Sequence, residues 1–245
     1  MTLKGSAFLA LWNDVDPVRD AEYNCWHSFE HVPERVGIRG MLSGRRYIAR
    51  ERSADRYFTL YGLESLATLA GVAYADVVDH PTAWSLSMRP SLRNFRRHPC
   101  ATLLSIGYGV AGAIATMRMT LLVGSDAASL AAVKAKLEPF VASAGITALH
   151  LGAIDPDAAF PLPNASATTG DDASATQVLL VEGAARAEVD AAVPRIAAAL
   201  APHSTADRGI KWQSFDLALA IERSGLPDAS AARQPPRPDL RAQWQ

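Results

Sequence analysis

Residues 23–40 read YNCWHSFEHVPERVGIRG, and the way this stretch winds decides how the chain folds around it. Of the six histidines in the chain, two stand here four residues apart, and each has a glutamate three residues further on. On a regular helix at about 100° per residue, His27, Glu30, His31 and Glu34 share an arc of about 100°. Ala21, Cys25, Phe29, Val32 and Val36 then occupy the opposite side. The simplest consequence is an amphipathic helix with its apolar stripe on a sheet and the four polar groups in water. Pro33 complicates that picture. It lacks an N–H and crowds the preceding turn, so a break is expected near it, and the wheel is unreliable beyond about residue 30.

Solvated helix faces are normally filled with Lys, Glu, Arg and Gln. Two histidines flanked by Tyr23 and Trp26 are an unusual choice for such a face. Imidazole gives or takes a proton near neutral pH, and a neighbouring carboxylate fixes its tautomer and raises its basicity. His27, His31, Glu30 and Glu34 are therefore the candidate catalytic residues. A metal reading stands beside this one: His27-x-x-Glu30-His31 has the H-x-x-E-H order of an inverted zinc-peptidase motif, with Glu34 or His80 as a third ligand.

Outward from this stretch, GSAFLALWN (5–13) reads as a buried strand, and Asp14, Asp16 and Pro17 open the helix. Gly37 and Gly40 mark turns. MLSGRRYIARE and RYFTLYGLE follow as strands separated by SAD, then a helical stretch from about Ser65 to Phe95 interrupted at Pro81 and Pro90, then the strand CATLLSIGYGV. The second half repeats this β-α-β-β-α-β order from ATMRMTLLVG to IKWQSFDLALAIER without useful residue identity between the halves. The expected fold class is α+β: two tandem ferredoxin-like (βαββαβ) modules, residues 1–112 and 113–223, with a Pro-rich tail over 224–245. Two four-stranded sheets are expected to pack face to face. The tail reads as an extended arm, unstructured or laid across a neighbouring subunit of a homodimer, and residues 155–177 read as a mobile loop.

Composition narrows the function classes. At 245 residues, with 49% hydrophobic and 20% charged residues and a net charge of −1, the chain can bury a substantial core and has no electrostatic reason to seek nucleic acid or an anionic membrane. Two cysteines make neither a disulfide framework nor a zinc knuckle. No apolar stretch reaches membrane-spanning length and the N-terminus reads as a strand, so a cytoplasmic, bacterial-type protein is the expectation. Walker, Gly-rich phosphate-loop and G-x-S-x-G motifs are missing.

The run W-H-x-x-E-H-x-P-E-R (26–35) followed by G-I-x-G-x-x-x-G-R-R-Y (37–47) resembles the dimeric α+β barrel superfamily, in particular its EthD-like and methylmuconolactone-isomerase-like members. The resemblance implies one chain that supplies both halves of a pseudo-dimeric barrel, with a pocket between sheet and helices. It also implies small-molecule chemistry without a cofactor (isomerisation, lyase, cyclisation or oxygenase reactions), with His27 and His31 matching the helix histidines and Tyr23 and Tyr47 as orienting groups. Chlorite-dismutase-like haem proteins share the fused plan, and there His150 and His203 are the candidates for iron.

Arg45 and Arg46 alternate on a strand, so one points inward, where it could hold a substrate carboxylate. Trp26, Arg46, Tyr47 and His80 complete the expected binding residues. An inward Arg118 would need an acid partner. Cys25 reads as packing, His98 as solvated, and Trp84 and Trp212 as core. The Ala-rich second half, poor in His, Tyr and Trp, reads as a structural partner. The expected function is a cofactor-free isomerase, lyase or cyclase acting on a carbonyl, lactone or phenolic substrate. A divalent metal at His27/His31 and a non-catalytic ligand-binding barrel are the alternatives.

Overall fold

The computed structural model describes residues 3–51, 55–121, 126–143, 145–158, 175–203 and 211–245. The first half contains β1 (Ala7–Val15), α1 (Asp20–Trp26), a π-helical turn (His27–His31), α2 (Val32–Val36), β2 (Met41–Ile48), β3 (Tyr57–Leu63), α3 (Val72–Asp79), α4 (Ala83–Met88) and β4 (Leu92–Gly107). The second contains β5 (Ala113–Met119), α5 (Ala127–Leu137), β6 (Ile146–Ile154), β7 (Gln177–Gly183), α6 (Arg186–Leu200) and β8 (Lys211–Glu222), and a short α7 (Pro238–Arg241) follows.

The strands form one closed antiparallel barrel in the order β1-β3-β2-β8-β5-β7-β6-β4. The expected face-to-face pair of sheets is corrected: the halves join edge to edge, β2 to β8 and β4 to β6. Closure is the physical reason, since it leaves no row of unpaired strand N–H and C=O groups. An eight-stranded barrel is just wide enough to be filled by side chains. Here Phe8, Trp12, Tyr47, Phe58, Leu180 and Phe215 fill it, with Trp12 and Phe215 flanking the Phe58 ring at 5.0 and 5.5 Å. Arg45 also enters the barrel, where its Nη1 donates to Glu182 at 2.7 Å. His150 sits on the same carboxylate at 3.2 Å. Arg118 finds its acid in Asp55.

β4 begins at Leu92, where the sequence suggested helix to Phe95; Asp14 and Val15 of β1 pair with Arg93 and Leu92. A bare β1 edge takes strand partners against local propensity. The tail is also corrected. It lies on its own chain, where Arg233 holds the buried Glu34 and Leu226 joins the core beside α2 and α3. Most of the expected 155–177 loop lies outside the described residues. No described helix is long and apolar enough to cross a membrane.

Asp16 accepts from the Val18 amide and opens the helical segment as expected. The break near Pro33 does not occur. The Val32 amide instead donates to the His27 carbonyl, five residues back, and Pro33 opens α2. A regular turn would drive the proline ring against the Phe29 carbonyl, and the wider turn relieves that conflict. α2 sits tightly on β2 because residue 44 is glycine: a Cβ there would lie 2.8 Å from methyls of both Val32 and Val36. Gly44→Ala should therefore displace α2 and lower unfolding stability by about 1–3 kcal/mol, measured by urea denaturation. A midpoint equal to that of the natural chain would show that the contact is slack.

Candidate active site

A cavity of about 650 Å³ lies between the outer face of the first-half sheet and its helices. Leu9, Leu11, Thr59, Tyr61 and Arg97 form its floor; Trp26, His27, His31 and Arg35 come from the helical segment above. The wheel expected Ala21, Cys25 and Phe29 to face inward, yet Phe29 is 58% exposed while Tyr23 and Trp26 are buried. Tyr23, Trp26 and both histidines share one face even on the regular wheel, and that face, not the Ala21–Cys25–Phe29 stripe, is the one turned to the sheet. The π turn adds a residue to the repeat, so that Val32 and Val36 join the buried side.

His27 stacks on Tyr23 at 5.0 Å and on His31 at 5.1 Å, and His31 lies 4.5 Å from the Trp26 ring. The Nδ1 atoms of both imidazoles are buried without a hydrogen-bond partner. Burial holds both well below the ordinary histidine range, reinforced at His27 by Arg46 and at His31 by Arg35 and Arg89. Both rings are therefore uncharged at neutral pH and can accept a proton. Tyr61 also lines the cavity with a hydroxyl that has no partner. Burial pushes its phenol, and that of Tyr23, upward, which keeps both protonated.

The expected carboxylates are not at the imidazoles. Glu30 accepts from the Thr82 hydroxyl at 2.6 Å and from the Arg237 amide at 2.7 Å. Glu34 accepts from Arg233 Nε at 2.8 Å, and its other oxygen lies 3.5 Å from Arg35. The glutamates tie the helical segment to α4 and the tail. Arg46 donates to Ser28 and Asn24 and lies over the Tyr23 and Tyr57 rings, bracing the segment from behind. Tyr47 points into the barrel, on the opposite face of β2 from Arg46. His80 is exposed at the end of α3, where it meets Asp76. The structure thus brings Tyr23, Trp26, His27 and His31 together at the cavity, and places Glu30, Glu34, Arg46, Tyr47 and His80 outside it.

The metal alternative is corrected as well. Glu34 is engaged by Arg233, His80 is on the surface, and among the described residues no three His, Cys, Asp or Glu side chains gather as a donor set. His98 is buried rather than solvated, edge-on to Trp12 at 5.5 Å, and Trp212 is 41% exposed rather than core.

Four contributors escaped the sequence reading: Arg35, Thr59, Tyr61 and Arg97. Arg35 closes the 26–35 motif four residues after His31, a spacing that places two side chains on one helix face. Thr59 and Tyr61 alternate on one face of β3. Nothing local marked Arg97, since its position depends on the β1–β4 register that sets it opposite Leu11. The corresponding space in the second half is filled by aliphatic side chains, among them Met117, Leu149, Leu179, Val133, Val193 and Ile196.

No family model and no curated protein matches the sequence. Solved structures share the fold. An anthrone oxidase-like protein superposes with a TM-score of 0.61 at 8% identity, over 96% of this chain and 99% of its own. A putative monooxygenase from Lactobacillus acidophilus NCFM gives 0.55 at 9% identity, over 89% and 97%. A heme-binding protein from Thermus thermophilus gives 0.51 at 9% identity, over 89% and 93%. The last of these overturns the cofactor-free expectation, because a protein of this fold is heme-binding. Of the residues expected for haem, His150 is locked between Ser105 and Glu182 inside the barrel, and His203 ends a short turn after α6. His27 and His31, uncharged and cavity-lining, have the donor chemistry that an iron ligand requires. What sequence and structure establish together is an α+β chain closed as an eight-stranded antiparallel barrel, a fold it shares with the anthrone oxidase-like protein and the monooxygenase-like structure above.

Proposed function

We propose that this chain is a small-molecule enzyme whose reaction begins with proton removal by an uncharged imidazole in the first-half cavity. One observation carries the reading. His27 Nδ1, His31 Nδ1, Arg35 Nη1, Thr59 Oγ1, Tyr61 OH and Arg97 Nη1 are all buried without a protein hydrogen-bond partner, and all belong to residues lining one cavity. A group of unpaired polar atoms around one space offers a polar ligand its hydrogen-bond partners.

His31, the less buried of the two imidazoles, is the base, and His27 supports it by stacking. A C–H beside a carbonyl, or a phenolic O–H, loses its proton to the imidazole. The electron pair moves onto the substrate oxygen, which Tyr61 and Arg35 stabilise as hydrogen-bond donors. Isomerisation, elimination or ring closure then follows from the enolate or phenolate. An iron porphyrin bound in this cavity would supply redox chemistry, with His27 or His31 as the residue to hold it. The two halves, with matching strand orders β4-β1-β3-β2 and β8-β5-β7-β6 within the barrel, are read as tandem ferredoxin-like modules, of which the second is the scaffold.

Solvent deuterium exchange into 2-tetralone, a neutral ketone with an acidified benzylic C–H, tests the base. The natural chain should accelerate exchange, His31→Ala should lose about 10²–10⁴ of the rate, and His27→Ala should lose less. No acceleration, or undiminished exchange in both variants, contradicts the assignment.

Acid should also destabilise the fold. With folded-state values held well below 6.5, the unfolded chain binds more protons as pH falls beneath that point. Stability is then complete above it and is lost below it. Thermal midpoints between about pH 8 and about pH 5 should fall on the acid side, and a His27→Gln/His31→Gln variant should fall less steeply. Parallel curves would show that the two rings do not titrate as described.

A further inference from the structure

Resting on the reading of this cavity as the substrate site, we propose that its ligand is an elongated aromatic anion. Its carboxylate is held by Arg97, and a second oxygen at the far end reaches Thr59 and Tyr61 beneath the histidines.

Charge sets the sign. Arg35, Arg89, Arg93 and Arg97 line the cavity, and no Asp or Glu among the described residues does so. Arg93 is neutralised by Asp16 at 2.6 Å, and Arg89 donates to the Val78 carbonyl. Arg97 is different. Its hydrogen bond runs from Nη2 to the Tyr74 hydroxyl at a long 3.4 Å, while its Nε and Nη1 are buried without a partner. A guanidinium whose N–H groups are withdrawn from water and unpaired is strongly unfavourable, and a carboxylate is the group whose geometry matches it in pairs.

The strand register sets the length. Arg97 lies opposite Leu11, and Leu11 lies opposite Thr59, so the three residues form one row across β4, β1 and β3. Two strand spacings separate Arg97 from Thr59, about 10 Å. Between these polar ends the floor is Leu9 and Leu11 and the roof is Trp26. An apolar slab with a cation at one end and hydroxyls at the other fits a flat ring system oxygenated at both ends.

Affinity can be read without turnover. On the full chain, 4-hydroxycinnamate and its methyl ester present the same ring and distal hydroxyl with and without the anion, and tryptophan fluorescence quenching or calorimetry measures both. The acid should bind about tenfold or more tighter than the ester. Arg97→Met should remove that preference, and Arg97→Lys, which keeps the charge but not the fork, should retain part of it. Equal affinity for acid and ester in the natural chain, saturable binding of neither, or a preference that survives Arg97→Met overturns the inference. If the Met variant misfolds by circular dichroism, the acid–ester comparison in the natural chain decides alone. Equal affinities alongside base-catalysed exchange of the neutral ketone would sink the anion and leave the base. Acid selectivity without exchange would do the reverse.

Discussion

Pro33 is the constraint that shapes the helical segment over the cavity. It cannot donate to the Phe29 carbonyl, and its ring would strike that carbonyl in a regular turn. The helix does not stop. It widens over His27–His31, with the Val32 amide reaching back to the His27 carbonyl, and this change of pitch brings Val32 and Val36 onto the same buried side as Trp26 and His27. Gly44 completes the device from the opposite side, since any larger residue would meet Val32 and Val36. A helix without the wider turn would carry Val32 and Val36 on the side of the exposed Phe29.

Once inward, the two rings enter surroundings that oppose their charging. Burial comes first, and the guanidinium groups of Arg46, Arg35 and Arg89 act in the same direction. A salt-bridged histidine is a weak proton acceptor because it is already protonated; these two remain free bases at neutral pH. Glu30 and Glu34 would have had the opposite effect had they reached the rings. Their oxygens are taken instead by Thr82, the Arg237 amide and Arg233. The C-terminal segment is therefore part of the site's frame, because it occupies carboxylates that would otherwise compete for the imidazoles.

The halves of the barrel share strand order but not content. In the first, the space between sheet and helices keeps polar atoms around a cavity; in the second, methionine, leucine, valine and isoleucine close it. The seams at β2–β8 and β4–β6 join the two. The interior network links them further, since Arg45 comes from β2, Glu182 from β7 and His150 from β6. A buried charge must be paired to be tolerated, so Arg45 and Glu182 depend on the two halves meeting in this register. The filled half thus supports the open one.

Local pattern alone determined the order of strands and helices, the cap at Asp16, and the 23–40 segment as the place to look for chemistry. Apolar runs, prolines and turn residues act over a few positions, and a reader of the sequence sees the same few positions. Tertiary structure decided the rest. Closure into a barrel satisfies strand edges that lie far apart in the chain, and it stretched β4 over residues that look helical. That the histidine face, with Tyr23 and Trp26, turned inward was settled by packing on the sheet, and a proline with a glycine on the next strand set how closely α2 sits there. Arg97 reached the cavity only through the β1–β4 register. Contacts that join distant positions leave no mark on the neighbours of either residue, and so only the folded chain shows them.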